Sequence, residues 1–254
     1  MIDIHSHLLV GLDDGSRSLD RSVGVLRQMG DEGVEAVVLT PHISSGEMEH
    51  HGERHITRRA AAFLELVARA PEPPRLHLGF EIMLDEPLPV LAIGDRRFSL
   101  AGSRYYLVEF RYSVIADSAT HVLKQITSAG VVPIVAHPER YDACSPEMMR
   151  EWRRVGVKLQ VDATAVTRPT TRGRRARELL AHGLADLVAA DNHGSRRSML
   201  TAWNYLVAHG HEEAARMLTS VNPSLVIRDE ELSPVPEAPI RETWIGRVRR
   251  FVSG

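Results

Sequence analysis

The stretch Asp3-Ile4-His5-Ser6-His7 opens the chain's first strand-like run, and its reading decides how the rest is understood. Alternate residues of a strand point to the same side, so His5 and His7 can present two imidazoles to one ion. The same coupling of a short apolar run to a ligand-type residue recurs at Pro41-His42, Phe80-Glu81, Val108-Glu109, Ala136-His137-Pro138-Glu139-Arg140, Val161-Asp162 and Asp191-Asn192-His193. One metal ion would not need so many ligands.

Seven runs read as strands: Ile2–His5, Glu35–Thr40, Arg75–Ile82, Tyr105–Phe110, Val131–His137, Val157–Ala163 and Leu184–Asp191. They are rich in Val, Leu and Ile without polar alternation, which suits strands buried on both faces of a parallel sheet. Helical patterns alternate with them at Leu19–Asp31, Ile56–Arg69, Ser118–Ala129, Pro146–Arg154 and Arg172–His182. Gly30, Gly33, Gly130, Gly156 and Gly183 mark helix ends. Alternation of this kind means βαβ units. With 254 residues the chain has the length of a single α/β barrel, which closes at roughly 250. The expected fold is therefore a single-domain distorted (β/α)7 TIM-like barrel over residues 1–230, with its site at the carboxyl ends of the strands.

Three stretches break the alternation. Asp85 to Arg104, interrupted by Pro87, Pro89 and Gly94, reads as a loop or small hairpin insertion. Ile43–His55 lacks apolar periodicity and reads as a mobile lid beside the site. Two helical stretches, Ser195–Ala208 and Glu212–Leu218, follow the seventh strand. Residues 231–254 read as a Pro-containing linker and a short amphipathic basic segment, with Trp244, Ile245, Val248, Phe251 and Val252 at helical spacing among Arg247, Arg249 and Arg250. That segment could lie on an anionic membrane, dock a partner or self-associate, and packing on its own barrel is the commoner use.

The formal net charge of −2 and the lack of a basic groove interleaved with aromatics give no sign of nucleic acid. Cys144 is the one cysteine, so no internal disulfide forms. No signal peptide precedes Met1 and no apolar run approaches the roughly 20 residues that span a bilayer, so the cytoplasm is expected, at most at the inner face of the membrane.

Carboxyl ends of barrel strands converge on one mouth, however distant in sequence. A lone His near a strand end is more often a hydrogen-bonded core residue than a ligand, and His77, His121, His182, His209 and His211, which lie in helical or strand-face positions without a carboxylate nearby, are read that way. The joint placement of the others carries the metal reading. Imidazole with carboxylate suits Zn, Mn or Fe rather than Mg alone, and the lack of thiolates at strand ends argues against a Cys-rich structural zinc.

In order and spacing, Asp3-Ile4-His5-Ser6-His7, Asp13-Asp14-Gly15, Pro41-His42, Glu81, Glu109, Ala136-His137-Pro138-Glu139-Arg140-Tyr141 and Asp191-Asn192-His193 resemble the polymerase and histidinol phosphatase (PHP) superfamily. The match is closest to its bacterial branch of manganese-dependent protein-tyrosine phosphatases associated with capsule and exopolysaccharide synthesis, and it runs from Met1 to about Arg228. The resemblance implies three divalent ions, Mn first and Fe or Zn as alternatives. His5, His7, Glu81 and Asp191 would hold one; Glu81, Glu109 and His137 a second; Asp14, His42 and His193 a third. It also implies that Arg140 binds a phosphate oxygen and that water activated by the metals attacks phosphorus, with His42 or His193 supplying a proton when free of metal. The implied substrate is a phosphotyrosine-bearing protein such as the tail of a bacterial tyrosine kinase.

Some readings stay open at this stage. Either Asp13 or Asp14 is the ligand and the other a loop cap. Asp162 stands where close relatives are expected to carry Asn. The Arg-rich stretch Arg168–Arg177 could attract an acidic phosphorylated peptide or be a solvated helix face. Cys144 and Arg150 have the spacing of the cysteine-dependent phosphatase loop, but no glycine lies between them, and Ser145-Pro146-Glu147 reads as a helix start. A small-molecule phosphatase, such as one for histidinol phosphate, shares the ligand set, and a regulatory module that keeps metal for structure alone would be expected to have lost ligands, which this chain has not.

Overall fold

The computed structural model describes residues 1–90 and 92–240. Nine strands run in the order β1 (Ile2–Ser6), β2 (Ala36–Leu39), β3 (His42–Ser44), β4 (Arg75–Leu78), β5 (Glu81–Met83), β6 (Tyr105–Glu109), β7 (Val132–Ala136), β8 (Lys158–Asp162) and β9 (Leu187–Ala189). Seven of them fall at or within the expected runs once Arg75–Ile82 is cut at Gly79-Phe80 into β4 and β5 and counted once, and β3 lies beyond the expected run Glu35–Thr40, parted from β2 by Thr40-Pro41. Proline removes a ladder donor, which is why the cut falls at Pro41.

All pairings are parallel. One sheet has the order β1-β2-β4 and the other β3-β5-β6-β7-β8-β9. The ring closes between β9 and β1, where Asp191 N donates to His5 O at 3.0 Å and His7 N to Asn192 O at 2.8 Å. Asp3 staples the same seam, its Oδ1 accepting from Ala190 N at 3.1 Å. The expected (β/α)7 barrel is present, distorted where the sheet divides.

The helices are α1 (Leu19–Asp31), α2 (Ser45–Val67), α3 (Ala116–Ser128), α4 (Pro146–Arg154), α5 (Thr171–Ala181), α6 (Leu200–Ala208), α7 (Glu212–Arg216) and α8 (Asn222–Ile227). Ile4, Val38, Leu107, Ile134, Ala136, Leu187 and Ala189 form an apolar layer with Leu225 and Val226 of α8 and with Leu100 and Leu232. Two bonds bring the α8 region to the amino ends of the strands: Asn222 Nδ2 donates to Asp186 O at 2.9 Å and Tyr105 Oη to Glu230 O at 2.6 Å. That end is sealed, so chemistry is left to the opposite mouth.

In place of the expected lid at Ile43–His55, Ile43 and Ser44 belong to β3 and the rest to α2. Ser45 to His55 are the opening turns of the 23-residue α2, whose start is capped by the Ser44 hydroxyl accepting from Glu47 N at 3.2 Å. Only a narrow face of these turns is buried, mainly Met48 and Gly52, which is why apolar periodicity is faint there. Gly52 is needed for packing: a Cβ there would lie 3.0 Å from the Phe98 ring. Among the described residues, Asp85 to Arg104 contains no hairpin, only loop and the 3-10 turn Leu100–Gly102. Residues 231–239 are extended but tied to the barrel, since Ala238 N donates to Leu180 O at 2.9 Å. The amphipathic segment with Trp244 and Arg247 lies outside the described residues. No described helix is long and apolar enough to cross a membrane.

Candidate metal centre

His5, Glu109, His137 and Asp191 leave the barrel at or just past the carboxyl end of a strand, His42 and Glu81 open the short strands β3 and β5 that follow β2 and β4, and Asp14 comes from the loop after β1. The register places His42 opposite Glu81 and Met83 opposite Glu109 on adjoining strands. His137 and Asp191 follow β7 and β9 with φ of 36° and 49°. These are left-handed conformations, uncommon for residues with a side chain and costing about 1–3 kcal/mol. Such strain concentrates where a side chain must be aimed.

The innermost group is His5, His7, Glu81 and Asp191, all buried. Gln160 commits its amide nitrogen to Val161 O, so its Oε1 accepts from His5 Nδ1 at 2.9 Å. Asp13 Oδ2 accepts from His7 Nδ1 at 2.8 Å. In their neutral form both rings would therefore carry their proton at Nδ1 and turn Nε2 lone pairs inward, with the two Nε2 atoms only 3.0 Å apart. Glu81 Oε2 lies 3.0 Å from His5 Nε2 and 3.2 Å from His7 Nε2, and Asp191 Oδ1 lies 3.5 Å from each. Those two carboxylate oxygens are buried without a hydrogen-bond partner. Two facing lone pairs and two orphaned anionic oxygens around one point repel unless positive charge sits among them, supplied by protons on the imidazoles or by a divalent ion, which this donor set fits.

The second group surrounds Glu81 and Glu109. His137 Nε2 is 3.0 Å from Glu81 Oε1 and 3.8 Å from Glu109 Oε2, and His42 Nδ1 stands 3.2 Å from Glu81 Oε2 and 3.1 Å from Glu109 Oε1. The third is outermost: Asp14 Oδ1 lies 3.6 Å from His42 Nε2 and 3.7 Å from His193 Nε2, and His7 stacks on His193 with ring centroids 4.1 Å apart. In this arrangement His42 thus faces two groups at once. Asp14 is exposed toward the imidazoles, whereas Asp13 turns inward to His7 and also accepts from His42 N at 3.1 Å. Gly15 packs against the same loop so tightly that a Cβ would lie 2.2 Å from His7 O.

Electrostatics follow this packing. Burial disfavours charge on His5, but Glu81 and Asp191 outweigh it and raise the imidazole to about 8. His7 is likewise raised against burial by Asp13, Asp191 and Glu81. Glu81 is held well below the usual carboxylate range despite its burial, chiefly by His5 and His137, and Asp191 is also lowered, chiefly by His5 and His7. Burial opposes the charged form of His42 too, but Glu109 and Glu81 raise it, whereas burial and His7 lower His193.

Beside the carboxylates stand two guanidiniums. Arg140 bonds Asp191 and lies 3.2 Å from Asp162 Oδ2. Arg197, which sequence reasoning missed, donates to Asp191 Oδ2 at 2.8 Å and to Asp191 O at 2.7 Å. Its loop has no periodicity, and the nearby Asp191-Asn192-His193 was its only signal. Asp162 orients Arg140 and caps its own loop, accepting from Thr164 N at 2.8 Å.

Cys144 stands apart. Burial, with Glu139 nearby, pushes its thiol up to about 12. Ser145 caps α4 by accepting from Met148 N, and Arg150 faces Glu147 along that helix. No anion-binding loop surrounds the sulfur.

Barrel and mouth together define a metal-dependent hydrolase. More particularly, the chain belongs to the family described as capsular polysaccharide synthesis, CpsB/CapC, whose profile matches residues 1–228. Tyrosine-protein phosphatase CpsB of Streptococcus pneumoniae is 30% identical over 244 residues, covering 91% of this chain and 99% of that protein. Tyrosine-protein phosphatase YwqE of Bacillus subtilis strain 168 is 25% identical over 250 residues, covering 95% and 97%. A solved structure from work on YwqE and CpsB, there described as unique metal-dependent tyrosine phosphatases, superposes with a TM-score of 0.80 at 22% identity, covering 95% of this chain and all of that one. Dihydropyrimidinase from Brevibacillus agri shares only the fold, with a TM-score of 0.50 at 11% identity over 93% of this chain and 73% of its own.

Proposed function

We propose that this chain is a metal-dependent protein-tyrosine phosphatase, hydrolysing phosphotyrosine on a bacterial tyrosine kinase that governs capsular or exopolysaccharide synthesis. The observation that carries the reading is the inward-facing pair His5 Nε2 and His7 Nε2, 3.0 Å apart beside the orphaned oxygens of Glu81 and Asp191. The family and the named relatives point to the substrate class.

His5, His7, Glu81 and Asp191 would hold one ion, Glu81, Glu109 and His137 a second, and Asp14, His42 and His193 a third, with manganese the expected metal. When bound, such ions supply a nucleophile at neutral pH by acidifying water, and they offset the phosphoryl charge. Arg140, backed by Arg197, holds and orients a phosphoryl oxygen through its planar fork. His42 and His193 are partly exposed at 33% and 27% and face the mouth, where either, when free of metal, would pass a proton to the departing phenolate oxygen. With a pKa near 10 that oxygen needs only modest help. Asp13 and Gln160 fix the tautomers of His7 and His5.

The test is a chelated and metal-restored preparation assayed on a phosphotyrosyl peptide and on histidinol phosphate side by side. Manganese should restore peptide hydrolysis preferentially, and a large preference for histidinol phosphate would overturn the substrate assignment. Residues 241–254 offer peripheral membrane contact or self-association as alternatives to packing on the barrel; liposome flotation of the intact chain that is lost on deleting them would support the membrane alternative, and no flotation would remove it.

A further inference from the structure

Next to Arg140, a recess of about 430 Å³ opens between the loop after β6 and the start of α5, lined by Tyr112, Glu139, Arg140, Asp142, Arg172 and Arg175, with Thr171 at its edge. We propose that it is a subsite for an anionic side chain of the substrate polypeptide flanking the phosphotyrosine. The inference rests on the phosphatase reading above and adds a specificity determinant to it.

Three observations converge. The first is charge: three guanidiniums face two carboxylates, one of which, Glu139, is buried beneath the floor. Arg140 is already committed to Asp162 and Asp191, but among the described residues neither Arg172 nor Arg175 has a carboxylate within ion-pair distance, and Arg172 Nε is buried with no partner. Arg175 is steadied by donating Nη1 to Tyr141 O at 2.8 Å, which holds its remaining donors in place. Arg177, by contrast, spends its Nη1 on Val166 O and Arg168 O, so within the Arg-rich stretch Arg172 and Arg175 line the recess while Arg177 turns to the backbone.

The second is the local helix end. The first turn of α5, like those of α6 and α8, contains no Asp or Glu, so beside Arg172 its positive end meets only the neutral Thr170 cap, which accepts from Gly173 N at 3.2 Å. The third is the neighbouring loop, where Tyr112 and Ile115 are 61% and 70% exposed. Tyr112 O accepts from Asp142 N at 3.1 Å, which pins this loop to the recess wall. Exposed apolar side chains flanking a basic recess suit an extended peptide whose backbone lies on the rim while an acidic residue points in. Because Arg140 belongs both to the recess and to the phosphoryl site, a residue close in sequence to the phosphotyrosine is the natural occupant.

The experiment uses the full chain loaded with manganese and three phosphotyrosyl peptides that differ only in the flanking residues: Ala, Glu, or a second phosphotyrosine. The readout is the ratio of kcat/KM for each acidic peptide to that for the Ala peptide, taken within each variant so that general damage cancels. Wild type should favour acidic flanks by about fivefold, through KM and most strongly at low salt, as two partly exposed ion pairs allow. Arg172→Gln combined with Arg175→Gln should bring the ratio to about one, and Asp142→Asn should increase it. A gain with Glu and phosphotyrosine alike identifies any anion; a gain with phosphotyrosine alone identifies a phosphate subsite. A wild-type ratio of one, or an unchanged ratio in the double variant, overturns the subsite and leaves the phosphatase reading standing. Failure of wild type to hydrolyse any of the peptides overturns both.

Discussion

The inner and outer parts of the mouth use the same side-chain types in opposite surroundings. His5, His7, Glu81 and Asp191 are sealed from solvent and aimed by Gln160, Asp13 and left-handed backbone, whereas Asp14 is 78% exposed and His42 and His193 a third or less. Burial raises the cost of leaving a charge unpaired, so the inner group depends on its cation for charge balance, while water can take its place around the outer group. The inner ion should therefore be tight and the outer one exchangeable.

The widest gap between the two regions is expected from Glu81→Ala, which removes a carboxylate whose Oε2 faces His5, His7 and His42 and whose Oε1 meets His137. Loss on the order of 10³-fold in kcat/KM should accompany loss of bound metal, checked by elemental analysis, because several kcal/mol of transition-state stabilisation go with it. Next comes Arg140→Ala, costing on the order of 10²-fold with metal content intact, and Arg140→Lys should not restore it because the fork is lost.

Third is the pH response of the metal-free chain. The raised His5 imidazole stabilises the fold fully below its ordinary 6.5, and that stability is lost as pH rises through about 8. The lowered Glu81 and Asp191 act oppositely, with stability present above their ordinary 4.5 and 3.8 and lost on acidification. Metal-free protein should thus be most stable near pH 5–6 and lose about 2 kcal/mol in urea unfolding by pH 9, a loss absent from metal-loaded protein. A flat profile for the metal-free chain would show that the inner imidazoles are not charge-coupled to the carboxylates.

Asp14→Ala, in the outer region, should cost only about tenfold and one equivalent of metal, with activity recovered at high manganese. Smallest of all is Cys144→Ser, expected to stay within about twofold, because a buried thiol with a raised pKa is a poor nucleophile. Its inactivation with unchanged metal content would move the chemistry from the metal mouth to the Cys144 loop.

The inner region was also the more legible in sequence. His5, His7, Glu81, Glu109, His137 and Asp191 sit where apolar runs stop, and a parallel barrel brings every such stop to one mouth. What resists reading is whatever depends on side-chain direction or on loops. Asp13 and Asp14 are adjacent and chemically alike, and only the turn at Gly15 sends one toward His7 and the other outward. Arg197 lies in an aperiodic loop, where one arginine looks like another. The start of α2 at Ser45 is obscured because its first turns bury little but Ser45, Met48 and Gly52, and α8 continues directly from α7 through the π turn Met217–Val221, whose changed period hides the continuation past Leu218. The split at Gly79 is visible as a residue but not as a break, since flanking Leu and Phe keep the run strand-like, and β3 escapes notice because the three residues His42–Ser44 are too few for a strand pattern to show.

The most direct test of the centre is anomalous diffraction at the manganese, iron and zinc edges from crystals of the wild-type chain. A strong peak is expected within coordination distance of His5 Nε2, His7 Nε2, Glu81 Oε2 and Asp191 Oδ1, with weaker occupancy beside Asp14, His42 and His193. Catalytically active crystals with no peak among His5, His7, Glu81 and Asp191 would refute the metal centre.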